Sequence, residues 1–380
     1  MNKLKILHLI TRLDEGGSAK NTLLTASLLP SPPYHQLIAA GEIKIKSNVK
    51  VLKIKNLKRE ISPLKDLLAL IEIYRLIKKE KPKIVHVHTS KAGFLGRIAC
   101  AFLPVKCVYT PHGHIFYGYF NKFLTKIFIL LEKIANYFAD RVCALSDGEA
   151  EELIKFGTVK KEKVRVIPSG IEENFKEKKN YKIKENPRIL SVGRLVEIKG
   201  YVYLIKASPF VLRHFPNAKF IICGDGHLRT KLIELAKELG VYKNFEFRGF
   251  CRNVSEILYE SDIFVMPSLN EGMCRAVAEA MLTGLPVVAS KVCGLKSIVK
   301  DGETGILFPP KDEKALAEAI IKLLSDEKLR EKMGKAGREY AKRYLTVKRM
   351  ISLTDKLYKE LISPSSAVPT FPIKSAHSYR

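Results

Sequence analysis

Among 380 residues there is no tryptophan and a single glutamine, Gln36. With abundant Lys and Glu, that bias fits a heat-adapted source or a Lys-rich genome. No charge-free apolar run reaches the roughly 18 residues that a membrane-spanning helix needs. The opening stretch MNKLKILHLITRL has a polar turn where a signal peptide would need its cleavage site, so a cytoplasmic location is expected. The seven cysteines (Cys100, Cys107, Cys143, Cys223, Cys251, Cys274 and Cys293) are odd in number and never form a C-x-x-C pair. Neither a disulfide scaffold nor a zinc site is suggested, and the thiols read as small core residues. The dinucleotide fingerprint G-x-G-x-x-G and the metal-recruiting D-x-D pattern are also missing.

What the chain has in excess is positive charge, formally +27, with 16 Lys/Arg against 4 Asp/Glu between Lys44 and Lys106. Such a surface suits an acidic partner: nucleic acid, an anionic membrane or a phosphorylated substrate. A solvated face in a Lys-rich proteome is the plainer alternative. Helix-turn-helix, zinc-finger and aromatic-basic patterns are absent, so no nucleic acid is expected as a partner.

Short apolar runs alternate with amphipathic helical patterns along the chain, which is the signature of α/β folds with parallel sheets covered by helices. Strands are predicted at 4–10, 36–40, 50–54, 84–88, 106–110, 141–145 and 164–167, with helices notably at 63–79 and 120–139. After a Lys/Glu/Asn-rich stretch without apolar periodicity, the pattern restarts. Strands are predicted there at 188–192, 219–223, 244–247, 263–267, 286–290 and 305–307, with helices at 227–239, 254–260, 273–283 and 313–324. The expected organisation is a doubly wound unit at 1–172, a linker at 173–187 and a second doubly wound unit at 188–345. A final helix at 346–362 packs back toward the first unit, and a Ser/Pro-rich tail fills 363–380. Two such Rossmann-like halves would present a ligand cleft at the carboxyl ends of their strands.

The most informative segment is Ser268-Leu-Asn-Glu-Gly-Met-Cys-Arg-Ala-Val-Ala-Glu-Ala-Met281, which follows an apolar strand and opens a helix near Met273. Gly272 lets an anion approach the backbone. The amides of Met273, Cys274 and Arg275 would then face it, backed by the positive end of the helix dipole. Glu271 and Glu279 lie about 12 Å apart at 1.5 Å per residue, roughly the span of a nucleoside diphosphate-sugar. Carboxylates accept well from paired hydroxyls, so one could hold the ribose and the other the sugar. The plainer reading is a capping Glu plus an unrelated surface Glu.

This element resembles the E-x7-E signature of the retaining glycosyltransferases of family four, whose fold is the two-domain GT-B architecture. The resemblance extends over most of the chain, and Gly193-Arg194 with Lys199-Gly200 is similar to the family's G-R-x4-K-G element. It implies that Arg194 and Lys199 hold the donor diphosphate, with Gly224-Asp225-Gly226, Phe247-Arg248-Gly249 and Gly284-Leu-Pro286 as further matches. Arg248 and Phe250 fall in the loop that the resemblance assigns to the nucleotide base. Gly16 and Gly17, before a helix capped by Ser18, would cover the donor phosphate and sugar.

His112 in Tyr109-Thr-Pro-His-Gly-His114 aligns with the family's active-site histidine, which implies contact with a sugar hydroxyl; His114 is the rival. His86 and His88 alternate on a strand, so at most one should face the site and the other should be a satisfied core residue. Lys91-Ala-Gly-Phe-Leu-Gly-Arg97 resembles members that act in capsular and surface polysaccharide biosynthesis. That implies a glycan or lipid-linked acceptor and contact with anionic membrane at its inner face, through the basic N-terminal stretch and the helix at 120–139; burial of that helix in the core is the alternative. The donor is expected to be a UDP-sugar, with a GDP-sugar second, and no metal or other cofactor is expected. Four positions depart from the family pattern: Cys274, Lys296 where an acid is usual, and Ser169 with Glu172 in the turn between the halves. A nucleotide-sugar epimerase of the same scaffold is the rival enzyme, but the Glu271/Glu279 element does not support it.

Overall fold

A computed structural model describes residues 4–113, 116, 121–183 and 185–362. His114, Phe120 at the start of one predicted helix, and the tail from Ser363 lie outside the described residues. The chain divides into two compact units, one holding the residues up to Gly170 together with those from Val347 onward, the other Ile171–Thr346.

In the N-terminal unit the strands are β1 (Leu4–Leu13), β2 (Tyr34–Ile43), β3 (Val51–Lys53), β4 (Ile84–His88), β5 (Lys106–Thr110), β6 (Arg141–Ala144) and β7 (Val164–Val166). The helices between them are α1 (Gly17–Leu28), α2 (Pro63–Glu80), α3 (Ser90–Cys100), α4 (Lys122–Tyr137) and α5 (Asp147–Lys155). All neighbouring strands pair in parallel, in the order β3-β2-β1-β4-β5-β6-β7. Near-continuous apolar strands such as Ile6–Ile10 are buried on both faces, as a helix-covered parallel sheet requires.

In the C-terminal unit the strands are β8 (Arg188–Val192), β9 (Lys219–Cys223), β10 (Phe245–Gly249), β11 (Ile263–Met266), β12 (Val287–Ser290) and β13 (Gly305–Phe308). Its helices are α6 (Tyr201–Leu212), α7 (Arg229–Glu238), α8 (Val254–Glu260), α9 (Arg275–Thr283), α10 (Cys293–Ile298), α11 (Glu313–Ser325) and α12 (Glu327–Tyr344). The sheet order is β10-β9-β8-β11-β12-β13, again all parallel. Strand order reverses between β1 and β4 in one unit and between β8 and β11 in the other, and open sheets bind ligands beyond the carboxyl ends at such points.

The segment 173–187, read as a linker, is fastened to the C-terminal unit. Lys178 donates to the Ser261 carbonyl at 2.7 Å, and the buried Tyr181 hydroxyl donates to the Gly284 carbonyl at 3.0 Å. Arg330 in turn caps the Tyr181, Leu323 and Leu324 carbonyls from α12. The final helix α13 (Val347–Ile362) packs in the N-terminal unit. Its Tyr358 ring lies edge-on to Tyr34, Asp355 accepts from the Tyr34 hydroxyl at 2.8 Å, and Glu360 pairs with both Arg141 and Arg165 at 2.6 Å.

The Lys91–Arg97 motif has a packing role in α3. A Cβ on Gly93 would lie 2.3 Å from the Tyr109 ring, and one on Gly96 would lie 2.5 Å from Val87, so the two glycines let the helix settle on the sheet. That approach places Arg97, wholly buried, 3.8 Å over the Tyr109 ring. Its guanidinium donates to both Glu132 oxygens at 3.0 and 3.1 Å, to Asn136 and to the Gly93 carbonyl. Because Arg97 supplies the only cation facing the buried Glu132 among the described ion pairs, Arg97→Met should destabilise the unit by about 3–5 kcal/mol. In urea denaturation, the double variant Arg97→Met/Glu132→Leu should recover much of that loss.

Candidate active site

The loop after β8 runs from Gly193 to Gly200, and the loop after β11 carries Ser268 to Cys274. Gly200 adopts φ +65, and a Cβ there would lie 2.1 Å from the Pro267 carbonyl, so only glycine lets these loops meet. The Leu269 amide donates to the Ile198 carbonyl at 2.8 Å and locks the contact. Lys199 thereby reaches Glu271, its ammonium 2.5 Å from Oε1, which also accepts from Ser268 Oγ at 2.7 Å. Burial opposes the lysine's charge, but Glu271 beside it outweighs that penalty and lifts the Lys199 pKa above its ordinary value.

Glu271 is held by its main chain as well. Its carbonyl accepts from the Gly294 amide at 3.0 Å and from Cys293 Sγ at 2.9 Å. This pinned, extended stretch moves the helix start. Cys274 (φ −88, ψ 104) is the N-cap, and the ladder begins with the Ala278 amide bonding back to the Cys274 carbonyl. The helix thus starts two residues beyond the expected Met273, and the amides of Arg275, Ala276 and Val277 precede its first ladder bond. Gly272 and Met273 precede the cap and belong to the approach loop. Cys274 is buried, and burial pushes its thiol up to about 12. Arg275 and Glu279 form an i,i+4 pair at 3.8 Å, both largely buried.

Arg194 is exposed on the β8 loop, and its guanidinium has no hydrogen-bond partner among the described residues. Arg248 is drawn to Glu246 by two hydrogen bonds of 2.7 and 3.1 Å, while Phe250 beside it is 58% exposed. The structure thus brings Lys199 and Glu271 together, pairs Arg275 with Glu279, and leaves Arg194 exposed after β8 and Arg248 and Phe250 exposed at the end of β10.

In the N-terminal unit, Gly16 rather than Ser18 caps α1, because the Gly16 amide turns back to Asp14 Oδ1 at 2.9 Å. Gly17 is the first helical residue. His112 follows β5 with φ +59, a left-handed conformation costly for a side-chain-bearing residue and concentrated at functional sites. The buried Glu149 of α5 holds that turn, accepting from the Gly113 amide at 2.9 Å and the Leu145 amide at 2.6 Å.

His86 and His88 share one face of β4, correcting the expectation that they alternate, since residues two apart on a strand point the same way. Their rings stack at 4.2 Å between centroids, and His8 of β1 joins them. The donor atoms of His8, His86 and His88 lie within 4.8 Å of one another, as in a metal site. All of their ring nitrogens already take part in hydrogen bonds, to Gln36, Tyr358, Thr110, His112 and each other. The trio is thus a hydrogen-bonded cluster.

Sequence reasoning missed Ser268, Glu149 and His8. Ser268 was legible as the polar residue three before Glu271. The other two needed the strand register that sets His8 opposite His86 and the turn that brings α5 to Gly113.

Two family profiles together match residues 7–340. That described as glycosyltransferase family 4 covers residues 7–175, and that described as glycosyl transferases group 1 covers residues 172–340. The UDP-Gal:alpha-D-GlcNAc-diphosphoundecaprenol alpha-1,3-galactosyltransferase of Escherichia coli is 30% identical across 95% of this chain and 98% of its own length. The chain belongs to glycosyltransferase family four. This family-four transferase is also 31% identical to the capsular polysaccharide biosynthesis glycosyltransferase CapM of Staphylococcus aureus, over 74% of this chain and 78% of CapM. Its fold matches the GT-B enzymes sucrose-phosphate synthase of Thermosynechococcus elongatus (TM-score 0.82, 21% identity, 95% of this chain and 100% of that one) and Anabaena HepE in complex with UDP and glucose (TM-score 0.80, 22% identity, 94% and 100%).

Burial holds His8 at about 4, against its ordinary 6.5, and His86 and His88 well below theirs. Between these values the unfolded chain binds a proton that the folded one refuses, so this stability is complete above pH 6.5 and is lost as pH falls toward 4. For His8 alone the loss is about 3 kcal/mol at 1.36 kcal/mol per pH unit. Calorimetry across that window should show His8→Leu with a shallower acid decline than the parent.

Proposed function

We propose that this enzyme transfers a hexosyl group from a UDP-sugar, with retention at the anomeric carbon and without a divalent metal, to a lipid-linked glycan. The observation that carries the reading is the Lys199–Glu271 pair at the point where the second sheet reverses its strand order. Lys199, Arg194 and the amides at the start of α9 supply the positive charge that a departing nucleoside diphosphate needs. Glu271 accepts from sugar hydroxyls and Glu279 from the ribose, while Arg248 and Phe250 flank the base. Gly16 and Gly17 approach the donor phosphate, and His112 contacts a sugar hydroxyl. The anomeric carbon–phosphate bond breaks as the acceptor oxygen bonds to the same face, and the acceptor's proton passes to the leaving phosphate. A uridine donor is favoured over a guanosine one by the name of the Escherichia coli relative.

Glu271→Gln and Lys199→Met should fold, and each should lower kcat/KM by about 10²–10³-fold, the cost of losing one electrostatic stabiliser. Turnover near the parent's would overturn these roles. Among nucleotide sugars, the true donor should raise the melting temperature most, by the equivalent of about 2.7 kcal/mol at a hundred times its Kd.

The lipid-linked acceptor draws support from α4, whose amphipathicity is inverted. Its inner face is Glu132, Ala135 and Asn136, gathered around Arg97. Its apolar residues Phe123, Ile127, Leu130, Ile134 and Tyr137 form an exposed stripe at helical spacing, with exposed Lys122, Lys126 and Lys133 alongside. Leu64, Leu67, Leu68 and Ile71 make a similar exposed row on α2, near exposed Lys65, Lys78 and Lys79. Apolar stripes bordered by lysine suit insertion into an anionic membrane surface. Replacing Phe123, Leu130 and Tyr137 together by Ser should abolish co-sedimentation with phosphatidylglycerol vesicles and spare turnover of a water-soluble acceptor. Unchanged sedimentation would refute the docking face.

A further inference from the structure

The only glutamine in the sequence stands at one end of a file of imidazoles that ends at His112. Gln36 Oε1 lies 3.0 Å from His8 Nε2, His8 Nδ1 lies 3.1 Å from His88 Nε2, and His88 Nδ1 lies 3.1 Å from His112 Nε2. A neutral imidazole carries one proton, so each ring donates at one nitrogen and accepts at the other. The orientation of the whole file is then decided where it starts. Gln36 presents a carbonyl oxygen, which can only accept, so His8 bears its proton on Nε2. Its Nδ1 must accept from His88 Nε2–H, and His88 Nδ1 must accept from His112 Nε2–H. Were the amide nitrogen presented instead, every proton in the file would move to the other nitrogen.

We propose that Gln36, His8 and His88 are positioning residues that lock His112 as its Nε2–H tautomer and fix its ring plane, so that Nδ1 meets the donor sugar as a hydrogen-bond acceptor. The proposal deepens, and for its last clause rests on, the reading of His112 as the sugar contact. Three further observations carry it. His8 and His88 are wholly buried, and burial keeps both neutral, as a one-directional file requires. The third buried ring, His86, stacks on His88 and is held by the Tyr358 hydroxyl at 2.7 Å and the Thr110 hydroxyl at 2.8 Å, so the file cannot swing aside. The main chain of His112 is fixed independently, by its left-handed φ and by Glu149 on the next amide. With the backbone set on one side and Nε2 on the other, the ring plane is fixed. A second shell that selects a histidine's tautomer is a known means of setting what its outer nitrogen does.

Long-range proton–nitrogen correlation on the full-length protein, labelled with ¹⁵N-histidine and assigned by single variants, reads the proton positions directly. The expected result is Nε2 protonated and Nδ1 unprotonated in His8, His88 and His112. A proton on Nδ1 of His112 or of His88 would overturn the proposal. His88→Phe removes the acceptor and should return His112 to a tautomer mixture. It should lower kcat by about 10–100-fold, the range for a misplaced proton-handling group, and leave the donor KM within about 3-fold. His88→Asn, whose carbonyl can accept in place of Nδ1, should restore most of that loss. Parent-like turnover in His88→Phe would count against positioning. Should that variant fail to fold, Gln36→Leu tests the same file from its far end, with mixed tautomers expected at all three rings and an unchanged pattern overturning the relay. Full activity in His112→Ala, with the tautomers as expected, would instead refute the sugar contact and leave the relay standing.

Discussion

A lysine and a glutamate brought together where Gly200 lets two loops touch are the contact around which the strand-reversal point of the C-terminal unit is built. Lys199 and Glu271 come from opposite sides of the strand-order reversal and meet at 2.5 Å because Gly200 lets its loop touch the end of β11. Either charge alone would carry an uncompensated desolvation cost in this half-dry position. Their mutual neutralisation allows an ammonium to be kept at the carboxyl end of the sheet. The cost of keeping a buried charge and the benefit of having one ready are thus settled by one contact.

The N-terminal unit solves a different problem, the placement of an imidazole at the end of an open sheet. It does so with buried polar groups that are each fully committed: Arg97 to Glu132 and Asn136, Glu149 to two amides, and the histidine file to a single amide oxygen. Such groups are expensive to bury and tolerate few alternative arrangements, so they specify one geometry where apolar packing would permit several.

How much of this could be read from the residues follows their physics. All thirteen described strands fall where apolar runs sit between turn residues, because a doubly covered parallel sheet writes a signal that needs no partner to be seen. The E-x7-E spacing and the G-R-x4-K-G loop were legible for the same reason: short, local and fixed by one strand–loop–helix unit. The start of α9 was misplaced by two residues because the carbonyl of Glu271 is tied to Gly294 and Cys293, far along the chain. Helix α4 reads as a core or surface helix with equal ease, since periodicity shows an apolar stripe without saying which way it points. Only the demand of Arg97 for Glu132 turns the stripe outward. The histidine file was invisible for a related reason: His8, Gln36, His88 and His112 come from separate strands and a loop, and only the register of the sheet lines them up.

The return of α13 to the N-terminal unit bears on the order in which the protein can be completed. Tyr358, Asp355 and Glu360 provide the partners for His86, Tyr34, Arg141 and Arg165, yet they are separated from them by the entire C-terminal unit. On the ribosome the first unit to emerge is therefore the last to be finished. The contiguous second unit can close around its own core while the first still waits for its final helix, so a chain stopped just short of α13 would keep the half that carries Lys199 and Glu271 and lose the half that carries His112.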